Sequence, residues 1–409
     1  NKWEEYLCKI YQNNIDVTYF SNQQIWMVED YLYNQATASA DHSGYHLLNF
    51  IGIQPTDIQG NFLAAKSENP DERLKNIARI LKAQRAKQIN TQSKPIYSKF
   101  NKVLVIESSY DGILRAIFSL FELTQVKPQL HHIFYCTNTT TWAELRAFAY
   151  RCFYSQDTLH QLIRPEFLSA SVQDQFTRFL YKLIRNDRER SFRLGIVTTA
   201  SITHFQLINS LKGLDVVSII QDQDLLEKSK FKEIIERLTK ENCKLVTSRI
   251  ASLGKTTYIH DEIQRLNKQD IKFSINGNIN VDAVAKRLRT TGKNLTSNNT
   301  VLHINLGDVD NIQQLNEFLY CLVLFRAFRF GEEAASIPID VPIYIELDSS
   351  QHLISAYEKV AILQFLPCHT IEKIDLNKLK VTNIPSIQLV ANYLQAIDDK
   401  TIIDRKSVV

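Results

Sequence analysis

The residue types best placed to do chemistry in this chain are consecutive: Gly254, Lys255 and Thr256. They lie between a β-prone run, 244–247, and a helical stretch, 257–266. Such a turn turns backbone N–H groups and a helix N-terminus toward an anion. A lysine then reaches the β- and γ-phosphates, and a Ser/Thr hydroxyl holds Mg²⁺. The spacing therefore points to a nucleotide site for ATP with Mg²⁺. Gly254, Lys255 and Thr256 would carry the phosphates, Thr256 would meet the metal, and Ser252, Leu253 and Thr257 would line the loop. The full motif asks for another glycine five positions before Gly254, where Arg249 stands. A residue with a Cβ must avoid positive φ there or accept strain. A structural turn with a solvated lysine remains the alternative.

Hydrolysis asks for more, namely a second strand ending in acids that hold the metal's water shell and activate the attacking water. The strand "TVLHINLGDVD" ends in Asn305-Leu306-Gly307-Asp308, without an Asp-Glu pair. Asp308 reaches a metal only if the register slips by two or three residues. It reads more simply as the N-cap of the helix "NIQQLNEFL". Glu346, near the end of "VPIYIEL", is the other candidate acid and equally a strand-end carboxylate. Turnover is expected to be weak or absent.

Other candidates fall away. "NKQD", 267–270, has the Asn-Lys-x-Asp form that reads guanine in GTPases, but here it closes the helix that the loop opens. It is expected to be a polar connection. His131, His132 and His352 have no partners at metal spacing and read as surface or strand histidines. No Gly-x-Ser-x-Gly, His-Glu-x-x-His or Cys/His signature is present.

The elements that must position the loop follow from periodicity. Residues 1–95 read as helical. Ser21 and Gln24 stand at capping-box spacing before Ile25, Val28 and Leu32. Pro70 opens a helix with Leu74, Ile77 and Leu81 on one face. A polar stretch, 90–100, marks a boundary. Beyond it short apolar runs (102–108, 131–138, 193–199, 215–221, 300–306, 341–347) alternate with helical patterns, and 311–328 reads as one long helix. That alternation predicts an α/β fold with mostly parallel sheets. The division expected is a helical segment, 1–95, an α/β unit, 100–240, and a second α/β unit with the loop, 241–409.

Composition narrows the class. Hydrophobic residues at 44% and charged ones at 22% are those of a folded chain. Forty-eight basic against 44 acidic residues, a net charge of +4, is too even for a nucleic-acid binder. The longest apolar run, 318–330, carries Arg326 and Arg329 and is too short to span a membrane. With no signal peptide visible, a cytoplasmic location is expected. The six cysteines are scattered singly, which argues against zinc and for buried reduced thiols. The chain opens on Asn1 and closes in "DRKSVV", so it is expected to be a piece of something longer.

The order of these motifs resembles the AAA+ region of the mysterin-type giant RING E3 ubiquitin ligases. "VLVIESSYDGILRAIFSLF" is similar to the family's strand and helix before its Cys-Thr-x-x-Thr-Thr stretch, here Cys136 to Thr141 followed by Trp142 and Glu144. "SLGKTTYI" stands for the family's loop, with Ser252 in place of a glycine. "VLHINLG", "FLYCLVLFRAF", Tyr344-Ile345-Glu346 and "FLPCHT" follow in the family's order. The resemblance implies P-loop AAA+ modules, a degenerate one over 100–240 and a P-loop one over 241–409. It implies ATP held as a structural or regulatory ligand beside neighbouring modules of the same parent chain that hydrolyse it. Ubiquitination machinery would join through the parent, whose RING lies outside this segment. A vestigial loop in an interaction scaffold is the alternative, and an active ATPase using Asp308 or Glu346 a third.

Overall fold

In a computed structural model of the chain, the residues described are 9–12, 14–34, 42–53, 58, 69–89, 102–124, 128–155, 158–186, 192–213, 216–239, 242–248, 254–291, 299–330, 333–347 and 360–371.

The helical start contains α1 (Asn22–Tyr33), α2 (Ser43–Phe50) and α3 (Pro70–Ile89). The capping box forms: Ser21 Oγ accepts from the Gln24 backbone N–H at 3.2 Å, and Gln24 Oε1 accepts from Ser21 N–H at 3.1 Å. These helices bury Val17, Leu32, Leu47 and Leu81 together, and Tyr150 and Ala334 from later in the chain join them. Arg151 and Arg329 donate to the carbonyls of Thr18 and Tyr19, so the helical start is pinned to a helix of the first α/β unit and to a strand of the second.

The first α/β unit runs β1 (Val103–Glu107), α4 (Ile113–Thr124), β2 (Ile133–Tyr135), α5 (Trp142–Tyr154), β3 (His160–Ile163), α6 (Ala170–Asn186), β4 (Leu194–Thr198), α7 (Gln206–Lys212), β5 (Val217–Ile219) and α8 (Lys228–Thr239). Its strands lie in the order β2-β3-β4-β1-β5, every pair parallel. β1 and β4 read as unbroken apolar runs because helices cover both of their faces. Helix α4 passes so close to β4 that a Cβ added at Gly195 would lie 2.8 Å from Leu120 Cδ1 and 3.2 Å from Gln161 Cγ. Gly195→Ala is therefore expected to cost about 1–2 kcal/mol through overpacking, read as a lower urea midpoint at unchanged slope.

The second unit runs β6 (Cys243–Ser248), α9 (Lys255–Arg265), β7 (Gln269–Gly277), α10 (Val281–Thr291), β8 (Thr300–Val309), α11 (Ile312–Tyr320), β9 (Ala327–Phe330), β10 (Glu333–Ser336), β11 (Ile343–Leu347) and β12 (Cys368–Ile371). Its parallel sheet has the order β12-β6-β11-β8-β7, with β9 and β10 as a separate antiparallel pair. Counted within each five-stranded sheet, both read fifth, first, fourth, third, second. The expected α/β class holds, and these paired five-stranded parallel sheets are those of P-loop AAA+ modules.

One core joins the two units. Phe118 of α4 lies parallel to Phe325, centroids 6.5 Å apart, and Phe231 of α8 meets Phe365 edge-on at 4.8 Å.

Three expectations need correction. The long helix over 311–328 ends at Tyr320, widens into a π turn over Cys321–Phe325 and stops at Arg326 (φ 57°). Arg326 is buried, donating Nη1 to the Val341 carbonyl at 2.7 Å and Nη2 to Cys243 Sγ at 3.2 Å, which holds the left-handed turn and starts β9. His131 and His132 are not surface residues. They form a buried 3₁₀ turn against Tyr19 and His160, with Tyr19 Oη and His160 Nε2 3.2 Å apart. Asp308 caps nothing: it is an exposed residue of β8, and Asn311 caps α11, its side chain accepting from Gln314 N–H at 3.0 Å.

Candidate functional site

The loop after β6 delivers its glycine, lysine and threonine to the N-terminus of α9. Gly254 has φ +86°, a conformation that glycine adopts without the Cβ penalty, and it opens the helix. Arg249, Ser252 and Leu253 lie outside the described residues, and Thr257 is exposed in the first turn of α9. Lys255 is buried, its Nζ 3.1 Å from Ser248 Oγ at the end of β6. Thr256 Oγ1 donates to Glu346 Oε1 at 2.7 Å.

Glu346 is therefore more than a strand-end carboxylate. Its second oxygen, Oε2, meets His303 Nε2 at 2.9 Å, and His303 Nδ1 stands 3.6 Å from Asp270 Oδ2. The register explains the alignment: His303 pairs with Tyr344 on one side and Lys272 on the other. Glu346 and Asp270 are each two residues from those partners and so share the face of His303. Burial opposes ionisation of Glu346, yet hydrogen bonds from His303 and Thr256 outweigh it and hold the carboxyl below its usual range. Burial likewise disfavours the imidazolium, but hydrogen bonds to Asp270 and Glu346 prevail and raise the His303 pKa. Asp270 belongs to the "NKQD" segment that reads as a polar connection. In the structure Asn267 turns the chain at φ 53°, and Asp270 is already in β7.

Asp308 is not brought to this cluster. It lies two residues beyond Leu306, whose β11 partner is Leu347, and among the described residues it makes no hydrogen bond to Thr256, Glu346 or His303. The oxygen set present, a threonine hydroxyl and an ionised carboxylate in contact, is the kind that Mg²⁺ takes. Sequence reasoning missed His303 and Asp270. A histidine inside the otherwise apolar "TVLHINL" was the available signal.

The first unit has the same architecture without the same groups. Gly112 precedes α4 as Gly254 precedes α9, but Ile113 and Leu114 stand where Lys255 and Thr256 do. A cavity of 620 Å³ lies there, between these residues and α11 of the second unit. Arg164 borders it at φ 58°, stacked on Phe167 at 4.0 Å, and donates to Gln313 Oε1 at 2.6 Å and Glu317 Oε1 at 3.2 Å. The acids at the strand ends are already engaged. Glu166 accepts from Thr198 Oγ1 and from Thr199 N–H and Oγ1, and Glu107 accepts from Ile202 N–H.

Residues 103–216 match the model of the RNF213 AAA domain family. The match runs from β1 to the residue before β5 and so falls on this first unit, the one with the same strand order and without the lysine and threonine. It supports an AAA region of the RNF213, or mysterin, type, and an AAA+ segment of an RNF213-like protein. No curated protein matches the chain. The Gly254-Lys255-Thr256 loop lies beyond the matched residues and rests on its own geometry.

Among the described residues no helix is long and apolar enough to cross a membrane, and no group of His, Cys, Asp or Glu has the placement of a metal cluster. Cys136, Cys152 and Cys243 are buried thiols, and burial raises the Cys243 pKa to about 11. His352 lies outside the described residues. Arg329 donates to the Tyr19 carbonyl and Arg326 is internal, so both arginines of the apolar run are engaged within the chain.

Proposed function

We propose that this chain is an ATP-binding AAA+ segment of a mysterin-like E3 ubiquitin ligase, with the loop after β6 holding ATP and Mg²⁺ and turning it over weakly or not at all. The observation that carries the reading is a left-handed Gly254 followed by a buried lysine and a threonine hydroxyl 2.7 Å from an ionised carboxylate. Lys255 supplies the cation for the phosphates, the α9 N-terminus supplies backbone donors, and Thr256 supplies the metal's hydroxyl. Bound Mg²⁺ would neutralise phosphate charge. Slow turnover follows from β8, whose end offers Gly307 and the exposed Asp308 in place of an acidic pair. Neighbouring AAA+ modules of the parent, and the ubiquitination machinery through it, are the proposed partners, and the cytoplasm the proposed location.

Calorimetric titration of the chain with ATP and Mg²⁺, followed by a phosphate-release assay on the same sample, tests this. Lys255→Ala is expected to weaken ATP binding about 10- to 100-fold, the range of one or two charge-assisted hydrogen bonds. Unchanged affinity in that variant would sink the reading. One observation favours the scaffold alternative: Lys255 and Thr256 are already engaged by Ser248 and Glu346. If the loop is vestigial, no nucleotide will raise the melting temperature.

A further inference from the structure

We propose that the carboxylate serving Mg²⁺ at this loop is Glu346 of β11, positioned by His303, rather than an acid at the end of β8. The inference rests on the nucleotide-binding reading above and assigns the metal's side of that site. β11 lies between β6, which feeds the loop, and β8, with Glu346 level with Val246 on one side and Asn305 on the other. A carboxylate from β11 thus meets the start of α9 directly, whereas an acid of β8 must reach across a strand.

The two oxygens of Glu346 divide the work. Oε1 accepts the Thr256 hydroxyl at 2.7 Å, which leaves the threonine oxygen's lone pairs free for a cation. Oε2 is fixed by His303 Nε2 at 2.9 Å. His303 is only 1% exposed and its other nitrogen faces Asp270, so the imidazole has little freedom to release the carboxylate. Lys272 is the further charged group that faces both Glu346 and His303. His303 is a positioning residue: it bonds Glu346, and among the described residues it makes no hydrogen bond to Thr256.

The proposal predicts opposite changes in two affinities of one variant. Glu346→Gln removes a negative charge beside the triphosphate and a ligand from beside the cation. ATP without Mg²⁺ is therefore expected to bind more tightly, by about 2- to 5-fold, and ATP with Mg²⁺ more weakly, by about 10-fold. A carboxylate that merely braces the fold would weaken both alike when replaced. His303→Ala should lower the Mg²⁺ dependence in the same sense, and His303→Gln, whose amide can still donate to Glu346, should restore it.

The experiment is calorimetric titration of the full chain with ATP, in the presence of Mg²⁺ and of a chelator, with circular dichroism to show that each variant is folded. Loss of the Mg²⁺ dependence in Glu346→Gln, with the chelator affinity held or raised, supports the assignment. Retention of the full dependence overturns it, as does its loss in Asp308→Asn instead. Wild-type chain that is folded but binds ATP under neither condition overturns the nucleotide reading as well, a result distinct from failure of the Glu346 assignment alone.

Discussion

Phe118→Ala is expected to destabilise the chain by about 3–5 kcal/mol and to do so in both α/β units at once. Phe118 is 1% exposed on α4. Its ring meets Phe121 and Phe231 of the first unit and lies parallel to Phe325 of the second. Truncation removes one side of an aromatic stack between two sheets whose buried side chains form one continuous cluster. The surrounding structure relaxes only partly into such a hole, so a cavity term adds to the lost transfer free energy. Urea unfolding followed by far-ultraviolet circular dichroism and by tryptophan fluorescence checks this. The expected outcome is a lower midpoint that both probes share. Destabilisation of one unit while the other keeps its wild-type midpoint would show that the cluster does not couple them.

Arg164→Ala has the second largest expected effect, about 2–4 kcal/mol. The guanidinium is buried, with 6% of the side chain exposed, and it pairs directly with Glu317 at the cavity wall. Removing one partner of such a pair leaves the other desolvated. Glu317 moderates the loss, because 28% of its side chain is exposed and it can take up a proton. Arg164→Gly is expected to be the milder variant by roughly 1 kcal/mol, since φ 58° suits glycine.

The same pair has a pH signature. Burial raises the Glu317 pKa to about 7, although Arg164 pulls it down. An unfolded glutamate titrates near ~4.3, so the native state binds the extra proton between those values. Stability from this group is full below about pH 4 and is lost as pH rises through 7. In Arg164→Ala the downward pull is gone, so the midpoint moves above 7, and carboxyl ¹³C chemical shifts would follow it. A midpoint that falls in the variant would contradict the ion pair.

The sheets were legible in the sequence because their strands are buried on both faces. "KVLVIES", "RLGIVTT" and "VPIYIEL" are short β-branched runs between helical patterns, and such runs have few other uses. β3 was not legible: His160-Gln161-Leu162-Ile163 is four residues with two polar side chains, and both of these are buried against other elements rather than exposed. The long helix before β9 misled for a different reason. Cys321 to Phe328 keeps an apolar composition that suits a helix, and only the tertiary contacts of Arg326 stop it there. Within the site, Gly254, Lys255 and Thr256 are contiguous and visible. Their partners Glu346, His303 and Asp270 come from three strands up to 76 positions apart, as 346 against 270, and only parallel pairing brings them to one face.

The seam between the units joins unlike surfaces. The carboxyl ends of the first sheet's strands meet the flank of α11 from the second, so the contact is heterologous and has a direction. The same helix follows directly on β8, the strand that carries His303, and that flank supplies Gln313 and Glu317 to Arg164. β8 is thereby connected to the first unit through α11, with Arg164 as the point of contact. The first unit carries Ile113 and Leu114 where the second carries Lys255 and Thr256, so the two sides of the seam differ in chemistry as well as in shape.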